Sequence, residues 1–296
     1  MAIITKSGKN SLLASAIKKL YYRKVMSPKI IASWQNLPEL KKLGDLALPP
    51  KQLYYLGKWS TQLFTSCVAV VGSRKITDYG CRVVEKVVTQ LVLAKKTVVS
   101  GFMYGVDQYA HQICLEKGGS TIAVLGWGID WPLSDLDQKL ADKIISRGVL
   151  LSEWGYQRPT LWTFPQRNRL ITALSDEVIV VEASLKSGSL ITAQLATKLK
   201  RTLWAVPGPI TSNTSVGTNL LIAQGKARSW LGEYSWEKSA PSDPILSLLE
   251  NQSLTADEIS LILNRPIATV GAQLSLFVIS GSVSEHNGKY FLKHVD

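Results

Sequence analysis

The sequence predicts an α/β protein built on a parallel sheet, preceded by a basic helical segment and followed by a small helical domain. Three observations point that way. Short continuous apolar runs recur from Cys67 onward, as in strands buried on both faces. Segments with apolar residues at helical spacing alternate with these runs, which is the order of a helix-covered parallel sheet. Glycine or small polar residues follow the ends of most runs, where such sheets carry their ligand-facing turns.

Taken in order, residues 1–60 form the basic segment. SLLASAIKKLYYRK sets Leu12, Leu13, Ala16, Ile17 and Leu20 at helical spacing, with basic residues on other faces. Pro49 and Pro50 then end any helix and start an extended run through LYYLG. The sheet domain is expected over residues 61–236. Its strands are VAVVG (68–72), TVVSG (97–101), TIAVLG (121–126), GVLLSE (148–153), DEVIVVEA (176–183) and TLWAVPG (202–208). Between them, Val83, Val84, Val87, Val88, Leu91 and Val92 line one helical face. Further helices are expected from about Val106 to Lys117, over 135–147 and in SLITAQLATKL. Residues 237–243 read as a linker, from the composition of EKSAPSDP. In residues 244–296, TADE (255–258) is a capping box, with Thr255 as cap and Glu258 reaching back. A helix follows from Pro266 to Ile279, and Asn287-Gly288 favours a type I′ hairpin turn. Three helices and a terminal hairpin read as a winged-helix domain.

The chain has 296 residues and a formal net charge of +12, which suggests an anionic partner. The charge is uneven: net +9 over residues 1–60, +6 over 61–240 and −3 over 241–296. The last domain is therefore not expected to be the main phosphate contact. Cys67, Cys81 and Cys114 are scattered and odd in number, which excludes a disulfide framework and a CxxC metal site. The N-terminus has no apolar signal core, and no run approaches the ~18 apolar residues of a membrane span. A cytoplasmic protein without membrane contact is expected.

The strand ends carry the candidate site. The first leads into Gly72-Ser73-Arg74, the second into Ser100-Gly101 and then Gly105, and the third into Gly126-Trp127-Gly128. The fifth leads into Glu182-Ala183 and then Ser187-Gly188-Ser189, and the sixth into Pro207-Gly208. Glycine permits positive φ and close approach, and helix starts offer free N–H groups to phosphate. In FPQRNRLITALSD, Arg167, Asn168 and Arg169 are expected on a loop feeding a helix start. There the two guanidiniums can clamp phosphate oxygens and Asn168 can cap. Trp154, Trp162 and Phe164 are candidates for stacking on unpaired bases. A structural reading stands beside each: glycines as tight turns, and Arg167 and Arg169 paired to Asp176 and Glu177. Asp107 and His111, at i and i+4, would be a structural hydrogen bond rather than a metal or acid–base pair.

The order of VAVVGSRKITDYG, SGFMYGVDQYAH, GGSTIAVLGWGID, LLSEWG, FPQRNRLITALSD, VIVVEASLKSGSLITAQLA and LWAVPGPITSNTSVGTNLLIAQGKA resembles the DNA-processing protein A family (DprA, also called Smf). The matching pieces cover about residues 68–227. The resemblance implies an extended Rossmann-like domain that binds single-stranded DNA without turnover or cofactor. It also implies help in loading a RecA-type recombinase during natural transformation, usually as a homodimer. The family's pocket maps onto Gly72, Ser73, Arg74, Ser100, Gly101, Gly105, Arg167, Asn168, Arg169, Ser187, Gly188 and Ser189. Met103-Tyr104 stands where the family usually has Ala-Arg, so one phosphate contact is either lost or exchanged for stacking by Tyr104. Lys226 interrupts the usual Gly-Ala after the last helix. With Phe164, these two are secondary candidates. The N-terminal segment lacks the family's Gly-containing hairpin between helices.

Two other functions fit parts of the sequence. A nucleotide-binding enzyme or sensor would use the same pocket, with Asp107, His111 and Glu182 as acid–base candidates, but no PGGxGTxxE motif occurs. A duplex-binding regulator would act through the winged helix, against its acidic balance.

Overall fold

The computed structural model describes residues 27–232, 243–249 and 252–292. The chain divides into two compact units, Met1–Tyr234 and Ser235–Asp296.

Among the described residues, the first unit is built on a nine-stranded sheet. Its strands are β1 (Lys29–Ile31), β2 (Leu53–Gly57), β3 (Cys67–Val71), β4 (Thr97–Ser100), β5 (Thr121–Val124), β6 (Val149–Ser152), β7 (Glu177–Val180), β8 (Thr202–Ala205) and β9 (Arg228–Ser229). They lie in the order β1-β2-β6-β5-β4-β3-β7-β8-β9. From β6 to β9 all neighbours are parallel; β2 pairs antiparallel with β6, and β1 with β2. The six strands expected from the apolar runs are β3 to β8. β3 is buried along its whole length, which is why it reads as CVAVV without alternation.

Besides the single α-helical turn Gln62–Thr65, the helices are α1 (Asp78–Leu93), α2 (Val106–Glu116), α3 (Asp135–Arg147), α4 (Thr163–Leu174), α5 (Gly188–Lys198) and α6 (Val216–Ala223). Leu170, Ile171, Ala193 and Ala196 of α4 and α5 share one core with Ala69, Val71, Val124 and Val180. Ala141, Ile144 and Ile145 of α3 meet Ala123 and Leu150, which occupy alternate strand positions and so face the other side.

The expected helical segment over 1–60 is corrected where it is described. Residues 1–26, with the amphipathic stretch 11–24, lie outside the described residues. Over 27–60 the chain forms two sheet strands and the 3-10 turns Trp34–Asn36 and Pro38–Asp45, with no α-helix. It is also continuous with the sheet domain. Leu40, Leu43 and Leu53 are fully buried in the core under α4 and α5, where truncating each to Ala would cost about 2–5 kcal/mol. Lys42 Nζ reaches Asp176 Oδ1 at 2.5 Å, while Asp176 Oδ2 accepts from Cys67 N at 3.0 Å. A boundary at residue 60 would cut through this core.

The second unit holds α7 (Pro244–Leu249), α8 (Ala256–Leu263), α9 (Ile267–Ile279) and a hairpin of β10 (Val283–His286) and β11 (Lys289–Leu292). Thr255 and Glu258 form the expected reciprocal capping box. Asn287 and Gly288 both take positive φ, as a type I′ turn requires. Ile245, Leu249, Leu254, Ile259, Val270, Leu274 and Val283 make a core of its own. No single described helix is long and apolar enough to cross a membrane.

Candidate functional site

The strand order reverses between β3 and β7. The connections leaving these neighbours run to opposite sides and open a crevice at their C-terminal ends. Gly72-Ser73-Arg74 forms one lip. The Ser73 hydroxyl accepts from Lys75 N at 3.1 Å, and the Ser73 carbonyl accepts from Val106 N at 3.1 Å. Gly105 lies flush against this lip at φ +81°, and a Cβ there would come within 2.7 Å of the Arg74 carbonyl carbon. Only glycine combines that φ with that approach. The Arg74 side chain is exposed, its guanidinium carbon 5.0 Å from the Phe164 ring centroid in a cation–π contact.

Two helix starts at the crevice differ. At α1, the buried Glu182 carboxylate accepts from Thr77 N at 3.1 Å, Thr77 Oγ1 at 2.6 Å and Thr214 Oγ1 at 3.1 Å. The protein's own anion thus occupies the positive end of that helix dipole. At α5, Ser187 caps by accepting from Ser189 N at 3.3 Å. Gly188 is exposed, with no atom within 4 Å of where a Cβ would stand. This start is open to an anion. Lys75 and Lys186, both exposed, stand beside Arg74 and Ser187 in the chain. They were not singled out from sequence, although their adjacency to those residues was a usable signal.

Arg167, Asn168 and Arg169 are not on a loop. Helix α4 begins at Thr163, with Pro165 tolerated in its first turn, so the three residues lie one turn in and are all buried. A direct two-arginine phosphate clamp is therefore excluded in this conformation. The Arg167 guanidinium donates to Val124 O at 2.5 Å and to Asn168 Oδ1 at 3.1 Å. Arg169 Nη2 reaches both Glu153 oxygens at 2.5 Å. Asn168 Nδ2 donates to Gly188 O at 3.3 Å, tying α4 to the open helix start. Of the expected alternative partners, Asp176 pairs with Lys42 and Glu177 accepts from Trp204 Nε1 at 2.7 Å.

Asp107 and His111 do not form a pair. A Cβ on Gly101 would strike both the Asp107 carboxylate and the Arg167 guanidinium, so the two charges flank that glycine. Burial pushes the Asp107 carboxyl pKa up, against Arg167, the Ser100 hydroxyl and the Met103 backbone. Burial pulls the Arg167 guanidinium down to about 10, opposed by Asp107 and helped by Arg74. The fully buried Ser100 donates to Val70 O at 2.6 Å. His111 Nε2 faces Gly101 O at 2.7 Å and Nδ1 faces Thr121 Oγ1 at 2.6 Å. Burial lowers its pKa to about 4; the Gly101 carbonyl raises it and Arg167 lowers it further. Both residues brace the rim. Among the described residues no group of three or more His, Cys, Asp or Glu could hold a metal ion.

Toward the β5 and β6 ends the rim is aromatic. Phe164 lies under Gly126 and meets Trp127 edge-on at 6.3 Å. Trp154 and Trp162 are T-shaped at 5.8 Å, and Trp131 and Tyr156 are tilted at 5.5 Å. Tyr104 is exposed at the β4 end. Lys226 is at the opposite rim, where β8 and β9 begin. There it lines a cavity of about 360 Å³ with Lys200, Arg201 and Arg228. It does not join the crevice, because the turn after α6 returns the chain to the N-terminal end of β9.

Fold and site together define an open-sheet α/β protein with a cationic crevice at its switch point, suited to phosphate groups. The chain belongs to the DNA recombination-mediator protein A family, whose sequence pattern matches residues 30–235. It is 35% identical over 239 residues to Protein Smf of Synechocystis, covering 78% of this chain and 60% of that protein. It is 40% identical over 184 residues to DNA processing protein DprA of Streptococcus pneumoniae, covering 62% of this chain and 64% of that protein. The chain thus spans less than two thirds of the length of either relative. Among solved structures it resembles DNA processing protein A from Helicobacter pylori, described for its single-stranded DNA binding mode. That likeness has a TM-score of 0.61 and 34% identity, over 69% of this chain and 90% of that one.

Proposed function

We propose that the chain binds single-stranded DNA along the C-terminal rim of its sheet, as a recombination mediator rather than an enzyme. The observation that carries this is the switch-point crevice. Arg74 and Lys75 are exposed at the β3 end and Lys186 just before the open α5 start at Gly188, while the α1 start is already filled by Glu182. Non-enzymatic action is supported by the acid–base candidates, since Asp107, His111 and Glu182 are all engaged in internal contacts. These engagements weigh against the nucleotide-processing alternative. Family membership favours assisting a RecA-type recombinase on single strands, in the cytoplasm and as a homodimer. The second unit, read as a winged helix, carries the acidic end of the chain and suits a protein contact better than phosphate. Natural transformation is the setting that the family resemblance suggests.

The test is fluorescence anisotropy with labelled single-stranded and duplex oligonucleotides over a salt series. Single strands should bind more tightly, with affinity falling as salt rises. Arg74→Ala and Lys186→Ala should each flatten the log–log salt slope by about 0.7, the value for one phosphate contact on a single strand. Equal affinity for duplex, or unchanged slopes in both variants, would overturn the reading. Filament assembly by a RecA-type recombinase on coated single strands tests the mediator role.

A further inference from the structure

The rim beyond the crevice carries an unusual density of exposed rings. Tyr156 and Trp162 are 70% and 56% exposed, Tyr104 is 59% exposed, and Leu161 beside Trp162 is 93% exposed. A water-facing protein surface seldom gathers so many large apolar side chains on adjoining loops without a use for them. Their backbone is not loose. Gly128 N donates to Gln157 O at 2.8 Å, Ile129 N to Trp154 O at 2.9 Å and Asp130 N to Gly155 O at 2.9 Å. Three bonds thus zip the loop after β5 to the loop after β6. Gly128 permits this closeness, since a Cβ there would meet Tyr156 Cα at 2.6 Å. The zipped loops hold Trp131 against Tyr156, and Trp154 edge-on to Trp162. In each pair one ring is half-buried and backs an exposed one. The rings are also continuous with the crevice. Arg74 covers Phe164, Phe164 meets Trp127, and Trp127 leads through Gly128 into the zipped loops.

We propose that Tyr104, Tyr156 and Trp162, braced by Trp131 and Trp154, form a base-stacking lane beside the phosphate crevice. An unpaired strand would lie with its phosphates toward Arg74 and the α5 start, and its bases over the β5 and β6 loops. This rests on the single-strand reading above and adds its basis for rejecting duplex. Stacking needs bare π-faces, which a duplex hides within its own stack, whereas phosphates are offered by both. Every base has such a face, so the lane is tolerant of sequence. The cations alone would not discriminate strongly between the two forms.

The experiment compares a thymidine oligonucleotide with a fully abasic oligomer of the same length and phosphate count, on wild type, Trp162→Ala, Tyr156→Ala, Trp162→Phe and Arg74→Ala. Wild type should prefer the thymidine strand. Trp162→Ala and Tyr156→Ala should each lower its affinity roughly tenfold without changing the salt slope or the abasic affinity. Trp162→Phe should keep most of the binding, because a smaller ring still stacks. Arg74→Ala should weaken both oligomers alike. If wild type binds both oligomers equally while Arg74→Ala weakens both, the lane is refuted and the crevice stands. If neither oligomer binds wild type, lane and crevice fall together. A Trp162→Ala loss that is equal for both oligomers would assign the ring to packing and also refute the lane.

Discussion

Lowering the pH should destabilise the first unit through His111, and the size of the effect follows from its surroundings. The ring is fully buried, with Nε2 2.7 Å from the Gly101 carbonyl. A carbonyl only accepts, so Nε2 carries the proton of the neutral ring, while the Thr121 hydroxyl 2.6 Å from Nδ1 also lies 2.8 Å from the Val98 carbonyl. A second proton would put a charge where no water reaches, with Arg167 nearby, and burial therefore pulls the pKa from 6.5 to about 4. Because the folded value is the lower one, the unfolded chain binds more protons between these values. The stability His111 contributes is full above pH 6.5 and is lost as pH falls toward 4. The difference corresponds to about 3 kcal/mol in all, most of it gone by pH 4.5. Asp107 acts in the opposite sense, its raised pKa favouring the folded state at low pH, but it is common to wild type and a His111 variant. The assay is urea unfolding followed by tryptophan fluorescence, from pH 7.5 to 4.5, on wild type and His111→Gln. The variant should lack most of the acid loss seen in wild type. Parallel pH profiles for the two proteins would refute the assignment of a neutral buried ring.

Gly105→Ala should cost about 1–3 kcal/mol through its positive φ, and should weaken single-strand binding by displacing the Ser73–Arg74 peptide. Thermal melts and anisotropy on the same preparation check it. Glu182→Ala removes the acceptor for Thr77 N, Thr77 Oγ1 and Thr214 Oγ1. It should lower stability by about 3 kcal/mol, with Glu182→Gln recovering part, as read by urea midpoints. Thr255→Ala should cost α8 about 1 kcal/mol, seen as faster amide exchange in Ala256–Leu263 with the first unit unaffected.

By itself the sequence determined the parallel sheet, because strands buried on both faces leave uninterrupted apolar runs and β3 to β8 all have them. It also determined the capping box at Thr255 and the turn at Asn287-Gly288, where a few adjacent residues settle the geometry. β1 and β9 were not legible: three and two residues, largely exposed, carry no period. Nor was the membership of residues 27–60 in the core, since Leu40 and Leu43 find their partners on α4 more than 100 residues later.

The site divides the same way. Glycines at strand ends mark the rim because a tight approach needs the missing side chain whatever the partner, and so Gly72, Gly101 and Gly105 could be read directly. Whether an arginine faces water or the interior is another matter. Arg74 and Arg167 look alike in sequence, yet one lies exposed over Phe164 and the other is buried between Val124 and Asp107. That choice is made by charges and carbonyls brought from distant segments. A guanidinium can leave water only where the folded chain supplies its acceptors, so only the tertiary structure could decide which arginine stays exposed at the rim.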